Sequence, residues 1–168
     1  MRDKIETIRL RLTACTRNDT DEFHGLYSDP LTHTIGAGPF TSRGETVEWL
    51  ERRLKTKHEY GFVWYGIRHR DGGALIGGCG ILAGRTGVLE PEIGYEIKHS
   101  ERGSGLALEA AQAVVSELQA TTAVKRLWAT VRPHNAASLR ICERLGLVLD
   151  RVETDKRGEL LYLVRDLA

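Results

Sequence analysis

The chain has 168 residues, with 41% apolar and 28% charged, which fits one globular domain over 1–168 and excludes a disordered chain. Lys and Arg number 24 against 23 Asp and Glu, a formal net charge of +1, so nucleic acid is not an expected partner. No run approaches the ~18 apolar residues needed to cross a bilayer, and Met1-Arg2-Asp3-Lys4 lacks the apolar stretch of a signal peptide, so no membrane association and a cytoplasmic location are expected.

Ile8, Leu10 and Leu12 alternate with Arg9 and Arg11, which predicts a half-buried strand. A helix is expected over Asn18 to Ser28, stopped at Asp29-Pro30. Ser42-Arg43-Gly44-Glu45 has the spacing of a capping box, and Val47, Leu50 and Leu54 follow at helical intervals, which predicts a helix over about 43–57. Phe62 to His69 reads as a strand, Asp71-Gly72-Gly73 as a hairpin turn, and Ala74 to Leu82 as the returning strand. Glu92 to Lys98 is a further strand. Leu106, Ala110, Ala113, Val114 and Leu118 form the apolar stripe of a helix. Leu127 to Val131 predicts a short buried strand, and Asn135 to Leu145 a helix closed by Gly146. Leu147 to Val152 and Glu159 to Val164 end the chain as strands. A meander followed by alternating strands and helices predicts an α/β (α+β) fold. Its central sheet is mixed and mostly antiparallel, of about seven strands flanked by about four helices.

The three cysteines (Cys15, Cys79, Cys142) have neither the number nor the spacing of a disulfide framework or a zinc site, and they read as buried structural thiols. The six histidines (His24, His33, His58, His69, His99, His134) show no ligand spacing, so no metal is expected.

The most informative segment is Arg102-Gly103-Ser104-Gly105-Leu106-Ala107, between a predicted strand and a predicted helix. The first N–H groups of a helix have no internal acceptor and carry the positive end of its dipole. Glycine lets the backbone turn tightly and approach a ligand closely. The segment can therefore cradle a phosphate or pyrophosphate; a tight strand-to-helix turn alone explains it as well. A Walker loop is excluded by the missing Gly-Lys-Ser/Thr, and a dinucleotide fingerprint is incomplete because Leu108 stands at its third glycine.

With the rest of the chain these residues resemble the GNAT superfamily of acyl-CoA-dependent N-acetyltransferases, RimJ/RimL type. Arg102-x-x-Gly105-x-Ala107 is similar to the superfamily's Gln/Arg-x-x-Gly-x-Gly/Ala loop. Glu6 to Leu12 resembles the group's opening strand, Leu75-Ile76-Gly77 its third and Glu92-Ile93-Gly94-Tyr95 its fourth. Asn135-Ala136-Ala137-Ser138 and Glu143-Arg144-Leu145-Gly146 resemble the late helix. Ser104 departs from the pattern, since a basic residue or Gln is common there, and so do Leu106 and Leu108.

The resemblance implies acetyl-CoA as co-substrate and direct attack by an amine in a ternary complex, without an acyl-enzyme. It places the diphosphate on Arg102, Gly103, Ser104, Gly105, Leu106 and Ala107. It places the pantetheine along the backbone of Tyr95, Glu96, Ile97 and Lys98, with Asn135 and Ser138 also touching coenzyme A. One backbone N–H near Tyr95 would polarise the thioester oxygen, a contribution of ~3 kcal/mol for a preorganised donor. Glu92 is the expected base, acting through water, and Ser138 the expected acid toward the departing sulfur. Solvated or ion-paired Glu92, and Ser138 bonded within its own helix turn, are the plainer alternatives; Glu90 and Glu96 are weaker candidates for the base. Asn135 is in the position of a helix N-cap. The acceptor is a protein N-terminus or a small amine, with Thr32 to Ser42 and the segment between the last two strands lining its pocket, and a homodimer is a further expectation. A non-catalytic acyl-CoA-binding module is the alternative function; a nucleotide-binding regulator is a weaker third.

Overall fold

Period-2 alternation and glycine-rich turns in the first half of the chain produce a meander. The computed structural model describes residues 1–167. Strand β1 (Lys4–Glu6) pairs antiparallel with β2 (Leu10–Ala14), β2 with β3 (Trp64–His69), β3 with β4 (Gly72–Gly84) and β4 with β5 (Gly87–Ile97). Strand β5 then lies parallel to β6 (Arg126–Val131). Beyond it, β6 pairs antiparallel with β8 (Gly158–Asp166), which carries β7 (Val148–Asp155) on the outer edge. The sheet has eight strands, not seven. The addition is Lys4–Glu6, three residues too short for an alternation to register.

The four helices are α1 (Thr20–Tyr27), α2 (Arg43–Tyr60), α3 (Leu106–Thr121) and α4 (Ala136–Arg144). Helix α2 starts on the expected capping box: Ser42 Oγ accepts from the Glu45 N–H at 3.3 Å, and the Glu45 carboxylate accepts from the Ser42 N–H at 3.1 Å. It runs one turn past the predicted end and stops at Gly61, which adopts φ +74°.

Alternation along β5 separates two faces. Ile93, Tyr95 and Ile97 join the core beneath α3, which contributes Leu106, Ala110, Val114 and Leu118, and beneath α4, which contributes Cys142. Glu92, Gly94 and Glu96 turn to the other face. There α1 and α2 pack Phe23, Leu26, Tyr27, Trp49 and Leu50 against Trp64 and Leu75. The glycines of β4 and β5 serve this second face. Trp64 stands opposite Gly80, and Gly80 opposite Gly94. A Cβ on Gly94 would come within 2.9 Å of the Trp64 ring, so the indole lies flat on the sheet only because both neighbours lack side chains.

Candidate active site

The sheet opens between β5 and β6. Their ladder has a single registered pair, Glu92 opposite Trp128. Beyond Glu92 the edge of β5 that faces β6 carries no strand partner. The Lys98 N–H donates to Ile76 O at 2.8 Å, on the β4 side. Antiparallel alternation therefore gives the Glu96 N–H to β4 as well and turns the N–H groups of Tyr95 and Ile97 to the open edge. Of Tyr95, Glu96, Ile97 and Lys98, the first and third turn their N–H groups to the open edge and the other two turn theirs to β4. The Ile97 carbonyl accepts from Arg102 Nε at 3.0 Å.

Past β5 a short 3-10 turn leads to the glycine loop. Gly103 and Gly105 adopt φ +86° and +80°, in the left-handed region that glycine enters without strain. Gly105 is the N-cap of α3 and no side chain caps that helix. Among the described residues, the N–H groups of Gly103, Ser104, Gly105, Leu106, Ala107 and Leu108 have no protein acceptor; the first to find one is Glu109, whose N–H reaches Gly105 O at 3.1 Å. Six successive donors thus converge at the positive end of a sixteen-residue helix.

Arg9 holds this loop from the turn between β1 and β2. It donates to the Glu109 carboxylate at 2.6 Å and to Ser104 O at 2.8 Å. Burial pushes the Glu109 carboxyl upward, but hydrogen bonds from Thr7 and Arg9 outweigh it and leave it below its ordinary value. The Arg102 guanidinium donates to Ile97 O at 3.0 Å and to Thr32 O at 2.6 Å.

On the α4 side, Asn135 caps the helix: its Oδ1 accepts from the Ser138 N–H at 3.1 Å. The Ser138 hydroxyl is half-buried and lies 2.9 Å from the Tyr95 hydroxyl, which is also 3.5 Å from Cys142 Sγ. Burial pushes the Tyr95 phenol well up, so it stays protonated. All three cysteines are buried and free, and burial pushes each thiol up, Cys15 to about 12, which removes them as nucleophiles.

Glu92 is buried at the closed end of the opening. Its carboxylate accepts from the backbone N–H groups of Arg85 and Thr86 and from the Thr130 hydroxyl at 2.9 Å. These donors come from the β4–β5 turn and from β6, so Glu92 ties the hairpin to the strand across from it.

Glu96 is also buried, two turns of the pleat further along the same face. Both of its carboxylate oxygens lie 2.9 Å from His33 Nδ1. His33 comes from the segment between α1 and α2. There Asp29 accepts from the Thr32 hydroxyl at 2.6 Å and from the Leu31 N–H at 3.0 Å, folding the chain back toward the end of β5. The imidazole packs against Tyr27 and Phe40, with ring centroids 4.9 and 5.0 Å away.

The family model described as the acetyltransferase (GNAT) domain matches residues 9–148. The chain belongs to the GNAT acetyltransferase family. The N-acetyltransferase YoaA of Bacillus subtilis is 29% identical over 143 residues, 84% of this chain and 81% of that protein. An acetyltransferase from Agrobacterium tumefaciens is 26% identical and superimposes with a TM-score of 0.84, covering 98% of this chain and 95% of that one. The ribosomal L7/L12 α-N-protein acetyltransferase RimL, solved with coenzyme A, is 16% identical, covers 98% of each chain and gives a TM-score of 0.82.

Within this GNAT chain, sequence reasoning did not single out His33, Thr130 or the hydroxyl of Tyr95 as site groups. Arg9 appeared only as part of a strand. One signal was available for His33: it falls in the segment expected to line the acceptor pocket, just after the Asp29-Pro30 turn. Nothing in the sequence pairs it with Glu96, 63 positions away. Among the described residues no three His, Cys, Asp or Glu side chains cluster as a metal ion would require, and no helix is long and apolar enough to cross a membrane.

Proposed function

We propose that the chain is an acetyl-CoA-dependent N-acetyltransferase that acetylates a primary amine by direct attack in a ternary complex. The six unpartnered N–H groups of Gly103 to Leu108 carry this reading, because a diphosphate supplies the acceptors they lack. The acyl carrier then runs along the open edge of β5, taking hydrogen bonds from Tyr95 and Ile97. RimL, whose solved structure contains coenzyme A, has the same fold. Fixed alignment of thioester and amine supplies much of the rate, and one open-edge N–H polarises the thioester carbonyl.

Ser138 stands beside the departing sulfur in this reading and gives it a hydrogen bond, with the Tyr95 phenol behind it. A thiol's pKa of ~8.5 makes a stronger acid unnecessary. Asn135 contributes by capping the helix that presents Ser138. Glu92, which accepts from three donors, holds the closed end of the opening, the plainer of its two expected roles. The acceptor is a protein or peptide N-terminus, as in RimL-type proteins, or a small amine. Three unpaired thiols suit a reducing, cytoplasmic setting.

The test is release of free coenzyme A thiol from acetyl-CoA across a panel of acceptors: peptides with free α-amino groups, lysine, spermidine and an aminoglycoside. Release that depends on an added amine is the expected result. Tight coenzyme A binding with no amine-dependent release would make the chain a binding module instead.

A further inference from the structure

We propose that His33 and Glu96 act together as the base that takes the proton from the incoming amine, with His33 the catalytic residue and Glu96 its positioning residue. The inference rests on the acetyltransferase reading and names a group that the reading leaves open.

Neighbouring residues of β5 carry it. Tyr95 and Glu96 point to opposite faces of the sheet at the same height on the open edge. On one face the Tyr95 hydroxyl meets Ser138; on the other the Glu96 carboxylate meets His33. A thioester held along that edge has a hydrogen-bond donor for its sulfur on one side and a buried imidazole–carboxylate pair on the other. The α1–α2 face is where the acceptor segment lies, so the amine approaches from the imidazole side.

The protonation pattern follows from the contact. A carboxylate only accepts, so neutral His33 keeps its proton on Nδ1 and presents a lone pair at Nε2. Among the described residues Nε2 has no hydrogen-bond partner. Tyr27 and Phe40 hold the ring plane, and Arg102 anchors the segment through Thr32 O. A base oriented by a carboxylate at its second nitrogen is the logic of a catalytic triad without its nucleophile. The groups that face this pair are Glu96 from β5, Tyr27 from α1, Arg53 from α2 beside Tyr27, and Asp29, His99 and Arg102 around Thr32.

Protons and bonds balance as follows. The ammonium gives one proton to His33 Nε2, which passes it to water. The free amine forms the C–N bond, the C–S bond breaks, and the second nitrogen proton ends on the coenzyme A sulfur. Products are the amide, the free thiol and one proton in solution.

The experiment compares wild type, His33→Gln, Glu96→Gln and Glu92→Gln with the best acceptor of the panel. It reads kcat and KM from pH 5.5 to 9.5, acetyl-CoA binding by calorimetry, and thermal unfolding. His33→Gln is expected to lower kcat about 100-fold or more, to change acetyl-CoA affinity less than twofold, and to abolish the low-pH limb of the rate profile. Glu96→Gln should move that limb and lower kcat less than His33→Gln does. A weakly basic acceptor such as hydroxylamine, which arrives already deprotonated, should restore most of the His33→Gln rate relative to wild type. A folded His33→Gln protein that keeps wild-type kcat and the same limb overturns the proposal, as does loss of the limb in Glu92→Gln alone. If His33→Gln does not fold, the hydroxylamine comparison on Glu96→Gln decides, and an equal loss with both acceptors overturns it. Wild type inert toward every acceptor overturns the acetyltransferase reading itself, and the dyad with it.

Discussion

Replacing Gly105 should weaken acetyl-CoA binding in a graded way set by backbone geometry. Gly105 has φ +80° and ψ 7°, and a Cβ there would meet only Arg9 Nη2, at 3.6 Å. Side-chain volume therefore has room; the penalty is the left-handed backbone. That conformation costs an L-residue about 1–2 kcal/mol, and Asn less because it enters the region more readily. The free loop is held by few contacts: Arg9 to Ser104 O, the Ser104 hydroxyl to Glu101 O, and Glu109 N–H to Gly105 O. With so few contacts to hold it, a substituted loop can leave this conformation when free and must return to it on binding, so the cost falls mainly on affinity. One to two kcal/mol corresponds to a roughly 5–30-fold rise in Kd for Gly105→Ala. Gly105→Asn should cost less, and Gly105→Val more because its branched Cβ is worse in this region. Calorimetric titration with coenzyme A gives the order directly, and acetyl-CoA KM should follow it. Pantetheine, which lacks the diphosphate, should bind all four proteins alike. If Gly105→Val bound coenzyme A as wild type does, or if pantetheine binding fell in step, the diphosphate assignment would be refuted.

Cutting the strap behind the loop should act in the same direction. Arg9→Met removes the bonds to Glu109 and Ser104 O, and acetyl-CoA KM should rise about threefold to tenfold, the equivalent of about 1 kcal/mol for a half-exposed pair. Glu109 also makes an acid-sensitive contribution. Its folded carboxyl titrates below the ordinary 4.5, so the stability it adds is complete above that value and disappears as pH falls through the lower folded one. Melting temperature followed from pH 6 to 3 should therefore fall less steeply in Glu109→Gln than in wild type. Gly80→Ala places a Cβ 2.5 Å from Trp64 Cα, a backbone atom that cannot yield, and should cost about 1–3 kcal/mol in urea unfolding. Gly94→Ala meets side-chain atoms alone, the rim of the same indole and Leu82 Cδ2 at 3.1 Å, and should cost less. Ser138→Ala should reduce kcat more than acetyl-CoA affinity, and equal kinetics would leave Ser138 no role beyond its helix turn.

The parts of the molecule that depend on short-range rules were legible in the sequence. Ser42 and Glu45 predicted their own capping box, and Gly103 and Gly105 predicted a tight turn, which the chain makes with positive φ at both. Alternation along 92–97 correctly divided Glu92, Gly94 and Glu96 from Ile93, Tyr95 and Ile97. What could not be read was which partner satisfies each polar group. Arg102 reads in the sequence only as the start of the glycine loop, and its guanidinium reaches carbonyls that only the folded chain brings near. Tyr95 to Lys98 read alike as a strand edge, but the register of β4 fixes which of their N–H groups remain free. Glu92 and Glu96 are equivalent by alternation. Their environments differ because one meets a turn and a threonine, and the other meets a histidine delivered from a separate loop.

Arg102 also joins the two halves of the site. Its backbone begins the loop proposed to grip the diphosphate, while its side chain holds Ile97 O and Thr32 O. Ile97 ends the open strand edge, and Thr32 precedes His33. A ligand that orders the glycine loop therefore also steadies the end of β5 and the segment carrying the imidazole, through one guanidinium with planar, directional donors. Lysine at this position could hold one carbonyl but not two in fixed directions. Arg102→Lys should accordingly leave the loop's own N–H groups in place while loosening His33. Coenzyme A affinity would change little, and kcat would fall with its pH limb broadened. A substitution that harmed affinity and left kcat intact would show instead that the guanidinium serves the diphosphate directly.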